Sequence, residues 1–153
     1  MPVAAIGIGS NVGDAGANVR RAFERLAELG KVVACSPLYR SEPWGVIDQP
    51  PFVNAAALVE TELQPRALLA ALKRIEAEEG RVATYRWGPR VLDLDILAYD
   101  ELRVDEPDLV IPHARLHKRA FALVPLAAID RRWEPARDAL PPGERRAVVE
   151  LVS

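Results

Sequence analysis

Asp93 and Asp95 stand two positions apart in RVLDLDILAY, residues 90–99, a stretch that otherwise has the apolar character of a buried strand. Strand alternation puts the two side chains on one face, roughly 7 Å apart, with Leu92, Leu94 and Ile96 on the other. Aspartate is depleted in strands and like charges on neighbouring positions repel, so the pair is costly unless a cation or a ring of donors offsets it. Two hard carboxylates suit Mg²⁺, which takes one or two protein carboxylates and completes its shell with water and substrate phosphate. The plain alternative is a solvated strand face carrying two acids. Arg81, Arg86 and Arg90 precede the strand. They are either surface ion pairs, worth at most about 1 kcal/mol each, or bidentate donors to phosphate oxygens whose Mg²⁺ the aspartates hold. A glycine-flanked loop that carries them together with Trp87 is suited to closing over a substrate.

A second cationic cluster, PHARLHKRAF at residues 112–121, holds His113, Arg115, His117, Lys118 and Arg119 at the predicted start of a helix. Helix N-termini favour anions, so cations gathered there point to a phosphate site, the alternative being an exposed basic turn. GIGSNVGD, residues 7–14, has the look of a phosphate loop but completes neither glycine-rich nucleotide motif. A tight strand-to-helix turn accounts for its glycines, with Asp14 or Asn18 as helix cap. Trp44, Phe52, Trp87 and Phe121 sit in loops or at element ends, where aromatic rings can sandwich a flat heterocycle, although core packing is the commoner fate of any one. Cys35 reads as a small core residue.

The elements that must position these groups follow from periodicity. Residues 3–8 read as a buried strand. Residues 15–29 read as an amphipathic helix with Val19, Ala22, Phe23, Leu26 and Leu29 on one face and Gly30 as its stop. Strands are predicted over 31–39 and 52–60, joined by the proline-rich RSEPWGVIDQPP. A second helix opens at Pro65, buries Leu68, Leu69, Leu72 and Ile75, and ends at Gly80 with Glu76, Glu78 and Glu79 in its last turn. After the loop RVATYRWGP comes the aspartate strand, 91–99. The order βαββαβ is the ferredoxin-like pattern, an α+β fold with two helices on one face of an antiparallel sheet. Short edge strands are expected at 102–104 and 109–111, a third helix over 116–129 despite Pro125, and a loosely packed tail with one short helix over the last twenty residues.

The 153 residues suit one domain, 1–153, able to bury about two thirds of its unfolded surface without cross-links. A net charge of −2 gives no general attraction to nucleic acid. The single cysteine, the lack of a signal-like N-terminus and the lack of an apolar run of about 18 to 20 residues point to a cytoplasmic protein with no membrane span. Without a coiled-coil pattern, a monomer is expected.

The segment RWGPRVLDLDIL, residues 86–97, resembles the signature of the 6-hydroxymethyl-7,8-dihydropterin pyrophosphokinase family of folate biosynthesis: G-P-R, two variable positions, D-L-D and two aliphatics. The blocks GSN (9–11), SPLYRSEPWG (36–45), DQPPFVNA (48–55), KRIEAEEGR (73–81) and PHARLHKRAF are similar to family blocks in the same order. The resemblance implies the ferredoxin-like fold and a reaction of ATP, as co-substrate, with 6-hydroxymethyl-7,8-dihydropterin to give AMP and the pterin diphosphate. It implies that Asp93 and Asp95 ligate two Mg²⁺, that Arg81 and Arg90 contact the transferred group, and that Trp87 helps to seal the closed site. Glu76, Ile96, His113 and Arg119, with Trp87 and Arg90, match nucleotide-contacting positions. Phe52 and Phe121 match a pterin sandwich, Asn54 a hydrogen bond to the pterin amide edge, and Ser41, Trp44 and Asp95 complete that set. The chain departs from family habit at Ala114, Ala83 and Glu42, none of which is a metal ligand, and no side chain presents itself as a general base. Two other readings compete. A metal-dependent phosphohydrolase would use the same aspartates with water as nucleophile. A ferredoxin-like RNA-binding module would need exposed sheet aromatics where this chain has carboxylates.

Overall fold

A computed structural model of the chain describes residues 1–41, 51–80 and 91–151. Trp44, Arg81, Trp87 and Arg90, as well as Glu42 and Ala83, lie outside the described residues. The central elements are β1 (Val3–Ser10), α1 (Ala15–Leu26), β2 (Lys31–Cys35), β3 (Tyr39–Ser41), β4 (Phe52–Glu60), α2 (Pro65–Glu78) and β5 (Asp93–Tyr99). The sheet runs β5-β1-β4-β3, with β2 pairing the same edge of β4 as β3, and these pairings are all antiparallel. This is the ferredoxin-like arrangement expected from the element order. The predicted strand over 31–39 is interrupted around Pro37, which has no N–H for a ladder bond, and so becomes β2 and β3.

Local chemistry sets the ends of the helices. The Asp14 side chain accepts from Ala17 N–H at 3.1 Å and caps α1, whose Val19, Ala22 and Leu26 are completely buried. The helix stops at Leu26, short of the predicted residue 29, and the chain then passes so close to β4 that a Cβ on Gly30 would lie 2.0 Å from the Glu60 carbonyl oxygen. Pro65 opens α2, which buries Leu68, Ala71, Leu72 and Ile75. Both helices pack on the face of the sheet that carries Ile6, Ile8, Ala57, Leu94 and Ile96. Each such large aliphatic side chain contributes about 1.5–3 kcal/mol by leaving water. Arg25 of α1 bridges Glu78 and Glu79 at the end of α2, with Glu79 at 2.8 Å, and Arg21 also meets Glu79. These contacts account for Glu78 and Glu79 in that turn.

The opposite face is also covered, which the two-helix expectation did not include. After the hairpin β6 (Val104–Glu106) and β7 (Leu109–Ile111), a 3-10 turn at Leu116–Lys118 leads into α3 (Ala120–Ile129). Leu123, Leu126 and Ala127 of α3 pack against Ala5, Ala56, Leu97 and Ala98. The predicted edge strand at 102–104 begins two residues later, and the helix predicted from 116 begins at Ala120. The tail is more ordered than its prolines suggest. A 3-10 turn at Arg131–Trp133, the short helices α4 (Glu134–Asp138) and α5 (Pro142–Arg146) and the strand β8 (Val149–Glu150) follow one another. Trp133 and Leu140 are buried against α3, and β8 pairs with β3. Cys35 is exposed at the end of β2 and is no part of the core. Among the described residues, no helix is long and apolar enough to cross a membrane.

Candidate active site

Strand register brings the chemistry together on the α3 side of the sheet. Asp93 lies opposite Gly9, which lies opposite Asn54; Asp95 lies opposite Gly7, which lies opposite Ala56. The carboxylates therefore have no side chain beside them on β1. A β-bulge near Ala5 and Ile6 leaves Leu97 without a register partner, so that Leu97 and Ala98 both join the cluster under α3 while Tyr99 returns to the helical layer. The alternation predicted for Leu92, Leu94 and Ile96 holds, since all three are buried on the α1–α2 side.

Between the sheet and the start of α3 is a cavity of about 140 Å³. Asp93 and Asp95 form one part of its wall, and His113 and Arg119 another; Ser41, Phe52, Asn54 and Phe121 line it as well. Gly9 is part of the floor: a Cβ there would come within 3.5 Å of Asn54 Oδ1 and 3.7 Å of Phe52 Cδ1. Buried Asn54 donates from Nδ2 to Ser41 Oγ at 2.6 Å, which pins the amide. The Arg119 guanidinium stands 5.6 Å from the centroid of the Phe121 ring.

The electrostatics match the crowding of acids. Burial, and then the neighbouring Asp93 carboxylate, push the Asp95 carboxyl up to about 6; Glu76 adds to the rise, and Lys73 and Arg119 oppose it. Burial also holds His113 below the usual histidine value, helped by Arg119 and Arg115 and opposed by Asp93. The main-chain N–H of His113 donates to Leu97 O at 2.9 Å, and its Nδ1 accepts from Arg115 N–H at 3.2 Å. The neutral ring therefore carries its proton on Nε2. Among the described residues, no three His, Cys, Asp or Glu side chains group as a metal cage. A pair of carboxylates on the wall of an open cavity fits Mg²⁺, which leaves most of its positions to water and phosphate.

Eight of the expected site residues thus share one cavity: Ser41, Phe52, Asn54, Asp93, Asp95, His113, Arg119 and Phe121. Two do not. Ile96 has the parity opposite to Asp95 and packs its side chain in the α1–α2 core. Glu76 is 1% exposed behind β5, where Oε2 accepts from Leu94 N–H at 2.7 Å and Oε1 lies 3.3 Å from Lys73 Nζ. The basic cluster also separates. His113 and Arg119 reach the cavity, Arg115 and Lys118 are exposed, and the ring of His117 meets that of Trp133 edge-on at 5.7 Å. The cluster precedes α3 rather than opening it. Gly7 and Gly9, read from sequence as turn residues, lie within β1, and only Gly13 of that segment takes a positive φ, 65°. Their period-two spacing, GIG, is the signal in the sequence for a bare strip of sheet.

The sequence profile of the 7,8-dihydro-6-hydroxymethylpterin-pyrophosphokinase (HPPK) family matches residues 5–131. Over 131 residues the chain is 50% identical to the 2-amino-4-hydroxy-6-hydroxymethyldihydropteridine pyrophosphokinase of Methylorubrum extorquens, covering 84% of this chain and 83% of that protein. It is 42% identical over 154 residues to the Haemophilus influenzae protein of the same name, covering 99% and 92%. Among solved structures, Plasmodium falciparum HPPK-DHPS with pteroate superposes with a TM-score of 0.66 at 16% identity, a likeness of fold; it covers 83% of this chain and 38% of that one. The chain belongs to the HPPK family.

Proposed function

We propose that this member of the pyrophosphokinase family transfers the β,γ-diphosphoryl group of ATP to the hydroxymethyl oxygen of 6-hydroxymethyl-7,8-dihydropterin, releasing AMP and the pterin diphosphate, a step of folate biosynthesis. The observation that carries the reading is one cavity in which an aspartate pair faces Phe52, Asn54 and Phe121, so that a phosphate-and-metal region adjoins a slot for a flat heterocycle.

The pterin lies between the rings of Phe52 and Phe121 over the bare floor at Gly9, and the Ser41-held amide of Asn54 reads its polar edge. The resemblance of residues 36–45 to a family block adds Trp44 to the pterin-contacting set. Arg119 donates to the nucleotide phosphates, and His113, neutral at pH 7, donates from Nε2 without adding charge. Arg81 and Arg90 contact the transferred group and Trp87 seals the site; these three roles rest on the resemblance of residues 73–81 and 86–97 to family blocks. Asp93 and Asp95 would hold Mg²⁺, two ions in this reading, and the metal would supply neutralisation of phosphate charge at the point of transfer. The remaining acceleration comes from holding the hydroxymethyl oxygen near the β-phosphorus and excluding water. No side chain is needed as general base, since water or a phosphate oxygen can take the proton. The same reading has the chain acting as a cytoplasmic monomer on small molecules, without nucleic acid or membrane.

Phosphorus NMR on the protein with ATP, Mg²⁺ and the reduced hydroxymethyl-pterin tests the reading. AMP and pterin diphosphate are expected only in the complete mixture. ADP or free phosphate formed without pterin would favour a phosphohydrolase, and untouched ATP in every sample would remove the assignment.

A further inference from the structure

Glu76 has no place in the cavity, yet its carboxylate is almost completely buried, a costly position for a charge. Its location explains the cost. Among the described residues β5 is the terminal strand of the sheet, paired on one side with β1. An edge strand leaves outward N–H groups without a ladder partner. The Leu94 N–H, between the two aspartates, is met by Glu76 Oε2 at 2.7 Å from α2, and Lys73 at 3.3 Å balances the other oxygen. We propose that Glu76 is a positioning residue of the metal-binding strand: by accepting the Leu94 N–H it holds β5 so that Asp93 and Asp95 present their oxygens together to a divalent cation. This inference rests on the reading of those aspartates as cation ligands.

Two features separate this role from simple edge covering. The bond is made to the residue that both carboxylates flank, so a shift of the Leu94 main chain moves both ligands at once. The acceptor is a carboxylate on the buried face of a helix whose Leu72 and Ile75 are locked in the core, so its position is tied to the body of the domain. Groups that orient metal ligands from behind are typically worth about 10- to 100-fold in metal affinity or activity.

The test compares wild type with Glu76→Gln, which keeps an acceptor, and with Glu76→Met and Glu76→Ala, which remove it, using whichever of the last two folds. Leu94 amide exchange is followed by NMR, and Mn²⁺ binding in the presence of a non-hydrolysable ATP analogue is followed by electron paramagnetic resonance. The expected result is rapid Leu94 exchange and about 10- to 100-fold weaker Mn²⁺ binding in the acceptor-less variant. A matching loss in kcat, a pterin KM close to that of wild type, and recovery in Glu76→Gln are also expected. Wild-type Mn²⁺ binding in a folded acceptor-less variant would overturn the proposal, as would a folded Glu76→Gln with the full loss. Because exchange and Mn²⁺ binding need no turnover, they decide the matter even if the wild-type protein transfers no diphosphoryl group, a result that would instead count against the proposed reaction.

Discussion

Replacing Asp95 with asparagine should abolish the reaction and make the ligand-free protein more stable. The carboxyl is held at about 6 against an ordinary 3.8. Between those values the folded chain binds more protons than the unfolded chain, so the Asp95 contribution is fully present below about 3.8 and is lost as pH rises through about 6. At about 1.4 kcal/mol per tenfold change, the ionised carboxylate costs the fold little at pH 4, more at pH 5 and on the order of 3 kcal/mol at pH 7.5. A carboxamide at this position cannot ionise, so the stability difference between Asp95→Asn and wild type should grow along that same curve. Urea unfolding at these three pH values in EDTA measures it. Adding Mg²⁺ with a non-hydrolysable ATP analogue should then stabilise wild type and leave the variant largely unchanged, because only the state that binds ligand is favoured. A variant less stable than wild type at pH 7.5, or a difference that does not change with pH, would refute the argument that crowding and burial of the pair oppose the fold.

Gly9→Ala places a methyl group in the cavity floor without a steric clash in the fold, since its nearest contacts are 3.5 and 3.7 Å. Steady-state kinetics should show a rise of about tenfold in the pterin KM, in line with a misfit of about 1.4 kcal/mol, while ATP affinity and melting temperature stay near wild type. Gly30→Ala does the reverse: a Cβ 2.0 Å from the Glu60 carbonyl forces β4 and the chain entering β2 apart. Overpacking of this kind typically costs about 1–3 kcal/mol and should appear in thermal unfolding. The His113 ring should titrate by NMR with a midpoint below the ordinary 6.5. Its protonation then works against the fold as pH falls below 6.5, because the unfolded chain takes up that proton first.

The helices α1 and α2 are legible in the sequence because burial on one side of a helix leaves a 3.6-residue period, and the aspartate pair because a strand has a period of two. The eight expected site residues that meet at the cavity follow from the family blocks, of which the signature around that pair is the most specific. Other features depend on partners distant in sequence. The glycine strip acquires its meaning only when Gly7 meets Asp95 and Gly9 meets Asp93 across a register that contains a bulge. Arg25 and Glu79 are 54 residues apart, so no local pattern announces their ion pair. Glu76 follows Ile75 on α2, and helical periodicity alone does not say that its carboxylate turns inward to a strand edge rather than outward to solvent. The order of the tail is hidden by its prolines, which suggest loose chain, whereas Pro135 and Pro142 start short helices and buried Trp133 and Leu140 anchor the segment under α3.

In the proposed reaction, metal, nucleotide and pterin meet in the cavity bounded by the aspartate pair and the two phenylalanines. A crystal structure with Mg²⁺, a non-hydrolysable ATP analogue and 6-hydroxymethyl-pterin tests this most directly. Mg²⁺ is expected about 2.1 Å from oxygens of Asp93 and Asp95, and the pterin ring between Phe52 and Phe121. Metal bound away from both aspartates, or pterin outside the Phe52–Phe121 slot, would contradict that arrangement.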